Sequence, residues 1–416
     1  MDCDILIIGA GIFGVSTAIL QESQYWMSPP YPPPRAALTD TSKIVRADYT
    51  NPFYMEMAYE AMDAWANWPI FTKAGVFNRT GWLVFDYQDK DRSTRIRNCF
   101  RASSTEDVTV DFTWKDVNEK WPVELGQVKG EGLESSYSSP SPTWADASGS
   151  LKVMLDEAVR LGVRYEVGEV SRLVQGQNGI ENLFTKDGRI FRAKKILLTT
   201  GAWTSQLMSP LEDELGFSDA ERVESQLTAE GVPIVQFKLS KEEVEQYSRL
   251  PIIVYGSGGI FHHPFQTPLA TALITQNRPI APANEGEDFK IQHYRLLEYR
   301  DHGDRTYHYG SSRPGPIYRS DDLKEKHLGH IRMRLPQIIG DDRQVTWRAC
   351  WESVRPDKDQ LIARHPHPRL SNLYFAVGGS FHSWKFLPTI GIYVVNVLEE
   401  VGNGKERDQR WGWKTY

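Results

Sequence analysis

Cysteine is scarce in this chain, and the few cysteines are not spaced as pairs. Only Cys3, Cys99 and Cys350 occur among 416 residues. An odd, scattered set of three does not suit a disulfide framework, so a small secreted disulfide-rich fold is excluded and a reducing compartment is expected. His365 and His367 flank a proline without an obvious third ligand, so we predict no metal site.

Long apolar runs and an excess of one charge are also missing. No stretch approaches the about 20 apolar residues that cross a bilayer, and the best late candidate is the short run 390–398. Basic residues number 48 and acidic residues 54, which gives a net charge of -6 with the two signs intermixed. We therefore expect neither a membrane protein nor a nucleic-acid partner.

Recognisable targeting signals are absent from both ends of the sequence. Two of the first four residues are acidic where a targeting segment would be basic, and the last residues do not read Ser-Lys-Leu. These features predict a cytoplasmic location.

The most informative motif present is the glycine pattern that follows the first apolar run. Four apolar residues at 5–8 lead into Gly9, Gly11 and Gly14, spaced GxGxxG. The pattern predicts a strand that turns into a helix whose N-terminal amides face a pyrophosphate. Taken alone, it also suits a glycine-rich turn that binds no nucleotide.

A proline-rich stretch follows where a dinucleotide-binding unit needs its second strand. Five of the six residues 29–34 are proline, which predicts an extended loop. Glu22 comes too early and Asp40 too late to be the acid that usually binds the ribose. We expect the second strand to be missing or disguised, as after a deletion of about ten residues.

Periodicity predicts further elements along the chain. The predicted helices are 52–68, 146–161 and 388–401, and the predicted strands are 163–167, 194–198 and 373–377, with a hairpin around residue 188. Short aromatic-rich runs across 217–345 predict a mainly antiparallel sheet. At 416 residues the chain is longer than a single hydrophobic core usually supports, so we expect two domains with interleaved segments.

Several motifs in order along the chain resemble one enzyme family. They are the segments 4–14, 42–46 (SKIVR), 144–147 (WADA), 200–203 (TGAW), 350–351 (CW), 356–357 (PD) and 378–386 (GGSFHSWKF). This set resembles the fungal branch of the sarcosine oxidase and fructosyl amino acid oxidase family, near its saccharopine oxidase-like members. The resemblance covers nearly the whole chain.

The resemblance implies an α/β fold, an interleaved two-domain flavoprotein. A Rossmann-like FAD-binding domain would comprise 1–50, 145–215 and 346–416. A substrate domain with helices and a mainly antiparallel sheet would comprise 51–144 and 216–345. We expect a monomer that acts on a small amine bearing a carboxylate, with oxygen or another electron acceptor.

The activity implied is oxidation of the C–N bond of a secondary amine to an imine, with oxygen reduced to hydrogen peroxide. Arg46 and Lys385 match the family residues that hold the substrate carboxylate, and a planar fork beside a point charge suits that task. Lys43 stands where the family has an arginine over the flavin ring. Ion pairing at the surface is the alternative role for such basic residues.

The same resemblance implies a flavin attached through Cys350. A lone cysteine beside tryptophans is otherwise most often a small buried apolar residue. The full set implied to contact FAD is Gly9, Gly11, Gly14, Ser42, Lys43, Val170, Gly201, Trp203, Cys350, Gly379, His382 and Lys385. His262 and His263 are placed by the resemblance in the substrate-domain sheet, with burial in the core as the simpler alternative.

Two departures from the family leave other functions open. No lysine occurs between Phe261 and Pro279, where members carry one that promotes oxygen reduction, and Leu273 or a neighbour takes its place. A dehydrogenase that uses another acceptor fits this loss. The unrecognised second strand fits a degenerate member with weak or absent FAD binding. The sequence does not specify the substrate's side chain.

Overall fold

The computed structural model describes residues 2–21, 24–28, 42–87, 92–103, 106–126, 133–237, 239–248, 250–255, 260–261, 299–300, 306–307, 332 and 345–415. The strands within them are β1 (Asp2–Ile8), β2 (Gln24–Ser28), β3 (Ser42–Val45), β4 (Phe77–Arg79), β5 (Trp82–Tyr87), β6 (Val110–Asp111), β7 (Leu133–Ser139), β8 (Thr143–Asp146), β9 (Arg164–Val167), β10 (Val170–Gly176), β11 (Gly179–Thr185), β12 (Ile190–Leu198), β13 (Thr228–Phe237), β14 (Ile252–Tyr255), β15 (Ile260–Phe261), β16 (Tyr299–Arg300), β17 (Thr306–Tyr307), β18 (Val345–Val354), β19 (Leu361–Arg364) and β20 (Leu373–Val377).

The α-helices of the same residues follow in chain order. They are α1 (Ile12–Ala18), α2 (Pro52–Asn67), α3 (Pro69–Ala74), α4 (Arg92–Ala102), α5 (Trp114–Lys120), α6 (Ala147–Arg160), α7 (Thr204–Leu215), α8 (Lys241–Tyr247), α9 (Ile390–Leu398) and α10 (Lys405–Trp411). Short 3-10 turns cover Gly201–Trp203, Val223–Ser225, Pro368–Leu370 and Ser383–Phe386. No helix in this part of the chain combines the length and apolar content that a membrane span requires.

The main sheet is built around β1 and β12, which pair in parallel from Asp2 with Arg192 to Ile8 with Leu198. Strands β9, β2, β1, β12 and β20 run parallel in that order, and β19 closes the edge antiparallel to β20. The first half of β12 also pairs with β11, which forms an antiparallel meander with β10. Residues 6–8 of β1 are buried because helices cover both faces of such a sheet, which explains their continuous apolar run.

Of the two expectations for the second strand, its absence is wrong and a disguised strand is confirmed. Strand β2 pairs in parallel with residues 5–8 of β1, and Trp26 and Met27 at its centre are fully buried. The strand escapes sequence reasoning because α1 has only seven residues, so β2 precedes the prolines and lies closer to the glycines than expected. Glu22 and Asp40 lie outside the described residues.

The glycine turn between β1 and α1 is tied tightly to its neighbours. Gly9 has a φ of +113°, and a Cβ built on it would lie 2.4 Å from the Thr199 carbonyl oxygen. A Cβ on Gly14 would lie 2.1 Å from the Gly9 carbonyl oxygen. The Gly9 carbonyl also accepts a hydrogen bond from Trp26 Nε1 at 2.7 Å. Packing of β1 against β2 and β12 therefore requires glycine at both positions.

Replacing Gly9 by alanine should destabilise the fold well beyond the effect of backbone strain alone. Gly162 provides the matched control, since its φ is +102° and a Cβ there would meet nothing within 4 Å. Strain at such a φ costs about 1–3 kcal/mol, and only Gly9→Ala adds a clash with backbone. Thermal unfolding should show a clearly lower midpoint for Gly9→Ala than for Gly162→Ala. Equal midpoints would contradict the close packing.

Smaller sheets carry the rest of the described chain. Strands β3, β8 and β4 form an antiparallel sheet, β13 pairs with β18 over ten residues, and β15, β14, β5, β7 and β6 form a mixed sheet. The antiparallel expectation for 217–345 holds for the pairs β13–β18, β14–β15 and β16–β17. It fails for β14, which pairs in parallel with β5 from a distant part of the sequence.

Helix α2 illustrates why the periodicity of the sequence is reliable here. Asn51 caps it by accepting a hydrogen bond from the Phe53 amide at 3.1 Å, and proline occupies its first position. The face formed by residues 53, 57, 61 and 65 carries the helical apolar spacing and is buried along its whole length. Helices α6 and α9, strands β9, β12 and β20, and the turn at Gly188 also lie where the sequence predicts them.

A buried arginine holds the C-terminal segment against the sheet. Arg355 is fully buried, and its guanidinium donates to the carbonyls of Gln360 at 2.6 Å, Gly412 at 3.1 Å and Arg410 at 3.3 Å. Its backbone amide donates to Ser380 Oγ at 3.2 Å. One residue thus connects the end of β18, the loop after β20 and the end of α10.

His365 should make the protein less stable as the pH falls. It is buried, its Nδ1 accepts the His367 amide at 3.0 Å, and burial, with a smaller contribution from the charge of His367, lowers its pKa to about 4. Between pH 6.5 and 4 the unfolded chain binds a proton that the folded chain does not. Stability should therefore fall by roughly 1.4 kcal/mol per pH unit in that window.

The measurement is urea unfolding of the wild type and His365→Asn at pH 7, 6 and 5. The asparagine keeps an acceptor for the amide but does not titrate, so its stability should depend less steeply on pH. Parallel pH dependences in the two proteins would rule out this assignment.

Candidate active site

The loop between β3 and α2 places a cation over two aromatic rings. The Arg46 guanidinium carbon lies 5.0 Å from the ring centroids of both Tyr49 and Trp82, and Nη1 donates to the Asp48 carbonyl. Asp48 is buried, and its Oδ2 accepts from Trp82 Nε1 and Tyr137 Oη, each at 3.2 Å. These contacts fix the loop, and with it Arg46, against β5 and β7.

The 3-10 turn after β20 brings a second cation to the same tyrosine. Lys385 is only 4% exposed, and its Nζ lies 4.9 Å from the Tyr49 ring centroid. Nζ donates to Tyr49 Oη at 2.8 Å and to the His382 carbonyl at 2.6 Å. The Lys385 carbonyl accepts from Trp65 Nε1 of α2 at 2.7 Å. The structure therefore brings together Arg46 and Lys385, which lie 339 positions apart in the sequence.

A hydrogen-bonded chain fixes the protonation of the groups between these cations. His382 Nε2 lies 2.8 Å from the Lys358 carbonyl, which only accepts, so Nε2 carries the proton. His382 Nδ1 is then the acceptor of the Tyr49 hydroxyl at 3.1 Å. The order of donation is Lys385 to Tyr49, Tyr49 to His382, and His382 to the backbone.

Burial and the two cations set the pKa values of this cluster. Burial, reinforced by the Arg46 charge, lowers the pKa of Lys385 well below its usual range. Burial, followed by the Lys385 charge, lowers the pKa of His382 to about 3. Burial raises the pKa of Tyr49, with Arg46 opposing the rise. An anion placed between Arg46 and Lys385 would offset the repulsion between the two cations and the free-energy cost of burying a charge there.

The loop that leads to Lys385 is conformationally strained. Ser380 and Phe381 both have positive φ, 51° and 63°, a conformation that costs energy for residues other than glycine. The Phe381 side chain is 44% exposed, whereas Trp384 is buried and stacks on Trp65 with centroids 5.2 Å apart. The two bulky aromatic side chains of this loop are thus divided between the surface and the core.

A second group of predicted residues gathers around the ends of β1 and β12. Gly11 begins α1, and among the described residues no side chain caps that helix and no acid occupies its first turn. Thr199 packs on Gly9 and Gly14. It lies two residues before Gly201, whose φ is +54°. The unsatisfied amides of α1 form a donor set that fits a diphosphate group, so the residues present fit a dinucleotide.

The remaining predicted residues lie in β3, in β10 and in the 3-10 turn after β12. Trp203 packs against the cluster that contains Trp351, the neighbour of Cys350 in β18. Ser42 and Lys43 begin β3 opposite Asp146 and Ala145 of β8. Val170 begins β10 opposite Thr185, and no described contact joins it to the other predicted residues.

Some sequence predictions concern parts that cannot be placed. His262, His263 and Leu273 lie outside the described residues, and for Cys350 only the backbone pairing with Val232 is described. Within the described ranges no group of three or more His, Cys, Asp or Glu side chains is arranged to hold a metal.

Tyr49 and Glu352 were missed by the sequence analysis. A Cβ built on Gly379 would lie 2.3 Å from Glu352 Oε1, so this carboxyl touches the loop that carries His382 and Lys385. The only available signal was position, because Glu352 follows Cys350 by two residues on one strand. Tyr49 gave no signal apart from its proximity to Arg46.

A family model described as FAD dependent oxidoreductase matches residues 4–397. The chain belongs to this family. The predicted resemblance and the α/β two-domain flavoprotein fold are confirmed, and the chain is an FAD-dependent oxidoreductase with oxidase relatives.

Named relatives of this FAD-dependent oxidoreductase match over most of their length. The L-saccharopine oxidase of Schizosaccharomyces pombe is 24% identical, with 100% of this chain and 94% of that protein covered. The peroxisomal sarcosine oxidase of Homo sapiens is 23% identical, with 93% and 90% covered. The solved structure of fructosamine oxidase (Amadoriase II) from Aspergillus fumigatus superposes with a TM-score of 0.78 at 21% identity, covering 100% of this chain and 90% of that chain.

Proposed function

We propose that this protein oxidises the C–N bond of an N-substituted amino acid to an imine and passes the electrons to oxygen, forming hydrogen peroxide. The observation that carries the proposal is the convergence of Arg46 and Lys385 on the Tyr49 ring. A pair of cations, of which Lys385 is buried and Arg46 half-buried, suits a substrate carboxylate. Saccharopine and sarcosine, which appear in the names of two relatives, are both amino acids substituted on nitrogen.

Each cation has a distinct part in holding the substrate. Arg46 offers a planar fork whose position is set by two aromatic rings, while Lys385 offers a point charge anchored by Tyr49 and the His382 carbonyl. Together they fix the carboxylate, and therefore the adjacent C–H bond, in one orientation. Burial of this cluster excludes water from the substrate's charged end.

Bound FAD would supply the electron acceptor for the C–H bond that breaks. We propose that Lys43 lies over its ring, in place of the family arginine, and that Cys350 forms the covalent attachment. The other residues proposed to hold FAD are Gly9, Gly11, Gly14, Ser42, Val170, Gly201, Trp203, Gly379, His382 and Lys385. The FAD-binding domain is proposed to comprise 1–50, 145–215 and 346–416, and the substrate domain 51–144 and 216–345.

The visible spectrum of the purified protein before and after acid precipitation tests flavin binding and its attachment. Yellow colour that stays in the pellet supports a covalent bond, and Cys350→Ser should make all of it extractable. Cys3→Ser is the matched control and should retain the colour. Flavin that remains in the Cys350→Ser pellet would refute this attachment, and a colourless wild type would refute the oxidase proposal.

A dehydrogenase that uses another acceptor is the second candidate, favoured by the absence of lysine between Phe261 and Pro279. Peroxide formed per amine oxidised, compared with reduction of an artificial acceptor, distinguishes the two. The other alternative was a degenerate family member with weak or absent FAD binding. Its main argument was a missing second strand, and β2 supplies that strand.

A further inference from the structure

Glu352 lies where three parts of the proposed flavin site meet. It follows Cys350 by two positions in β18. Its Oε1 lies against Gly379, close enough that a methyl group on that glycine would overlap it. The positive charge of Lys43 in β3 lowers the pKa of this carboxyl, against the larger effect of burial. Every one of these neighbours belongs to the set proposed to contact FAD.

We propose that Glu352 is the acid–base group of the active site, and that its carboxylate binds the substrate's protonated amine and takes the proton from it. This inference rests on the proposed amine oxidation. It supplies a function for a carboxyl that the carboxylate-binding pair does not use. It also places an acceptor of positive charge against the loop that carries Lys385, which matches a substrate with a carboxylate and an ammonium group.

The proton transfer balances without any further reactant. The ammonium N–H bond breaks, a Glu352 O–H bond forms, and the charges of both partners become zero. The neutral amine then has the lone pair that stabilises the positive carbon left when hydride departs. Burial raises the pKa of Glu352 to about 7, with Lys43 opposing the rise, so the carboxyl can both accept and release a proton near neutrality.

Other titratable groups near Glu352 come from each element that surrounds it. Glu230 is its direct partner on β13, Lys43 is on β3, and His382 and Lys385 follow Gly379 in the loop after β20. Burial keeps the pKa of His382 at about 3, so this imidazole does not titrate near pH 7. The test therefore compares two ligands that meet the same cations and differ only in the charge at the amine position.

The ligand pair is N,N,N-trimethylglycine and 3,3-dimethylbutanoate, which share a carboxylate and shape but differ in one positive charge. Binding to the flavin-loaded protein is measured by calorimetry at pH 6 and pH 8. The wild type should prefer the cationic ligand by about tenfold or more at pH 8, and less at pH 6, where Glu352 is mostly protonated. Glu352→Gln should show no preference at either pH.

Two further variants keep the result interpretable. Glu352→Asp retains a carboxylate and should keep a pH-dependent preference. Glu224→Gln removes another carboxyl whose pKa is raised, far along the chain from the site, and should behave as the wild type. Stopped-flow reduction by an amine substrate should be slowed about a hundredfold or more in Glu352→Gln.

The outcomes separate this inference from the function on which it rests. An undiminished preference for the cationic ligand in Glu352→Gln, in a variant that melts like the wild type, would overturn the inference alone. An unchanged rate and pH profile of amine oxidation in that variant would do the same. If neither ligand binds the wild type, the proposed carboxylate site itself is wrong.

Discussion

Replacing Lys385 by methionine should weaken binding of a small carboxylate such as 3,3-dimethylbutanoate by about a hundredfold. Loss of one partner from a buried, hydrogen-bonded charge pair costs about 2–5 kcal/mol, and a hundredfold change corresponds to about 2.7 kcal/mol, in the lower half of that range. Arg46→Lys keeps the charge but loses the planar fork, so its effect should be smaller.

Proton uptake provides a second signature of the same role. Burial and Arg46 lower the pKa of Lys385 in the free protein, and an anion between the two cations would raise it again. Carboxylate binding at a pH above the depressed value should therefore take up a proton, and Lys385→Met should abolish that uptake. Calorimetry in two buffers with different ionisation enthalpies measures it.

Lys405→Met is the control for both measurements. Lys405 is exposed at the start of α10 and should affect neither affinity nor proton uptake. A Lys385→Met protein that binds the carboxylate as tightly as the Lys405→Met control would exclude Lys385 from carboxylate binding.

Arg355→Met should lower the free energy of unfolding by about 3–5 kcal/mol. The substitution fills a similar volume but leaves the carbonyls of Gln360, Arg410 and Gly412 without their donor. Each buried polar group that loses its partner costs about 1–3 kcal/mol. Because two of these carbonyls belong to the C-terminal segment, that segment should also become the first site of proteolysis.

Arg364→Met is the matched control for this effect. Arg364 pairs with Glu400 at 3.4 Å, but both side chains are more than half exposed, so the pair contributes about 1 kcal/mol or less. Urea unfolding should clearly separate the two variants. Similar losses of stability would mean that the hydrogen bonds of Arg355 contribute little.

The sequence predicted the elements whose signal is local. Helix α2 has a cap, a first-position proline and a continuous apolar face, and the turn after β1 has its glycines. Strand β2 has only five residues and no alternation, so only its pairing with β1 reveals it. The parallel pairing of β14 with β5 likewise depends on two segments far apart in sequence.

The candidate site shows the same division. Arg46 and Lys385 could be proposed because their motifs resemble those of a family, and the structure places both at one ring. Tyr49 and Glu352 could not, because each acquires its partners only after distant strands and loops pack together. Neither the hydrogen bond from Lys385 to Tyr49 nor the approach of Glu352 to Gly379 leaves a pattern along the chain.

Helix α2 has a consequence for substrate selection. Its cap, Asn51, comes two residues after Tyr49, and Trp65 near its other end binds the main chain at Lys385. The two ends of one helix are therefore tied to the two segments that carry the proposed carboxylate-binding pair, Arg46 and Lys385. Side groups of different length on the substrate would therefore leave the proposed contacts to its carboxylate unchanged.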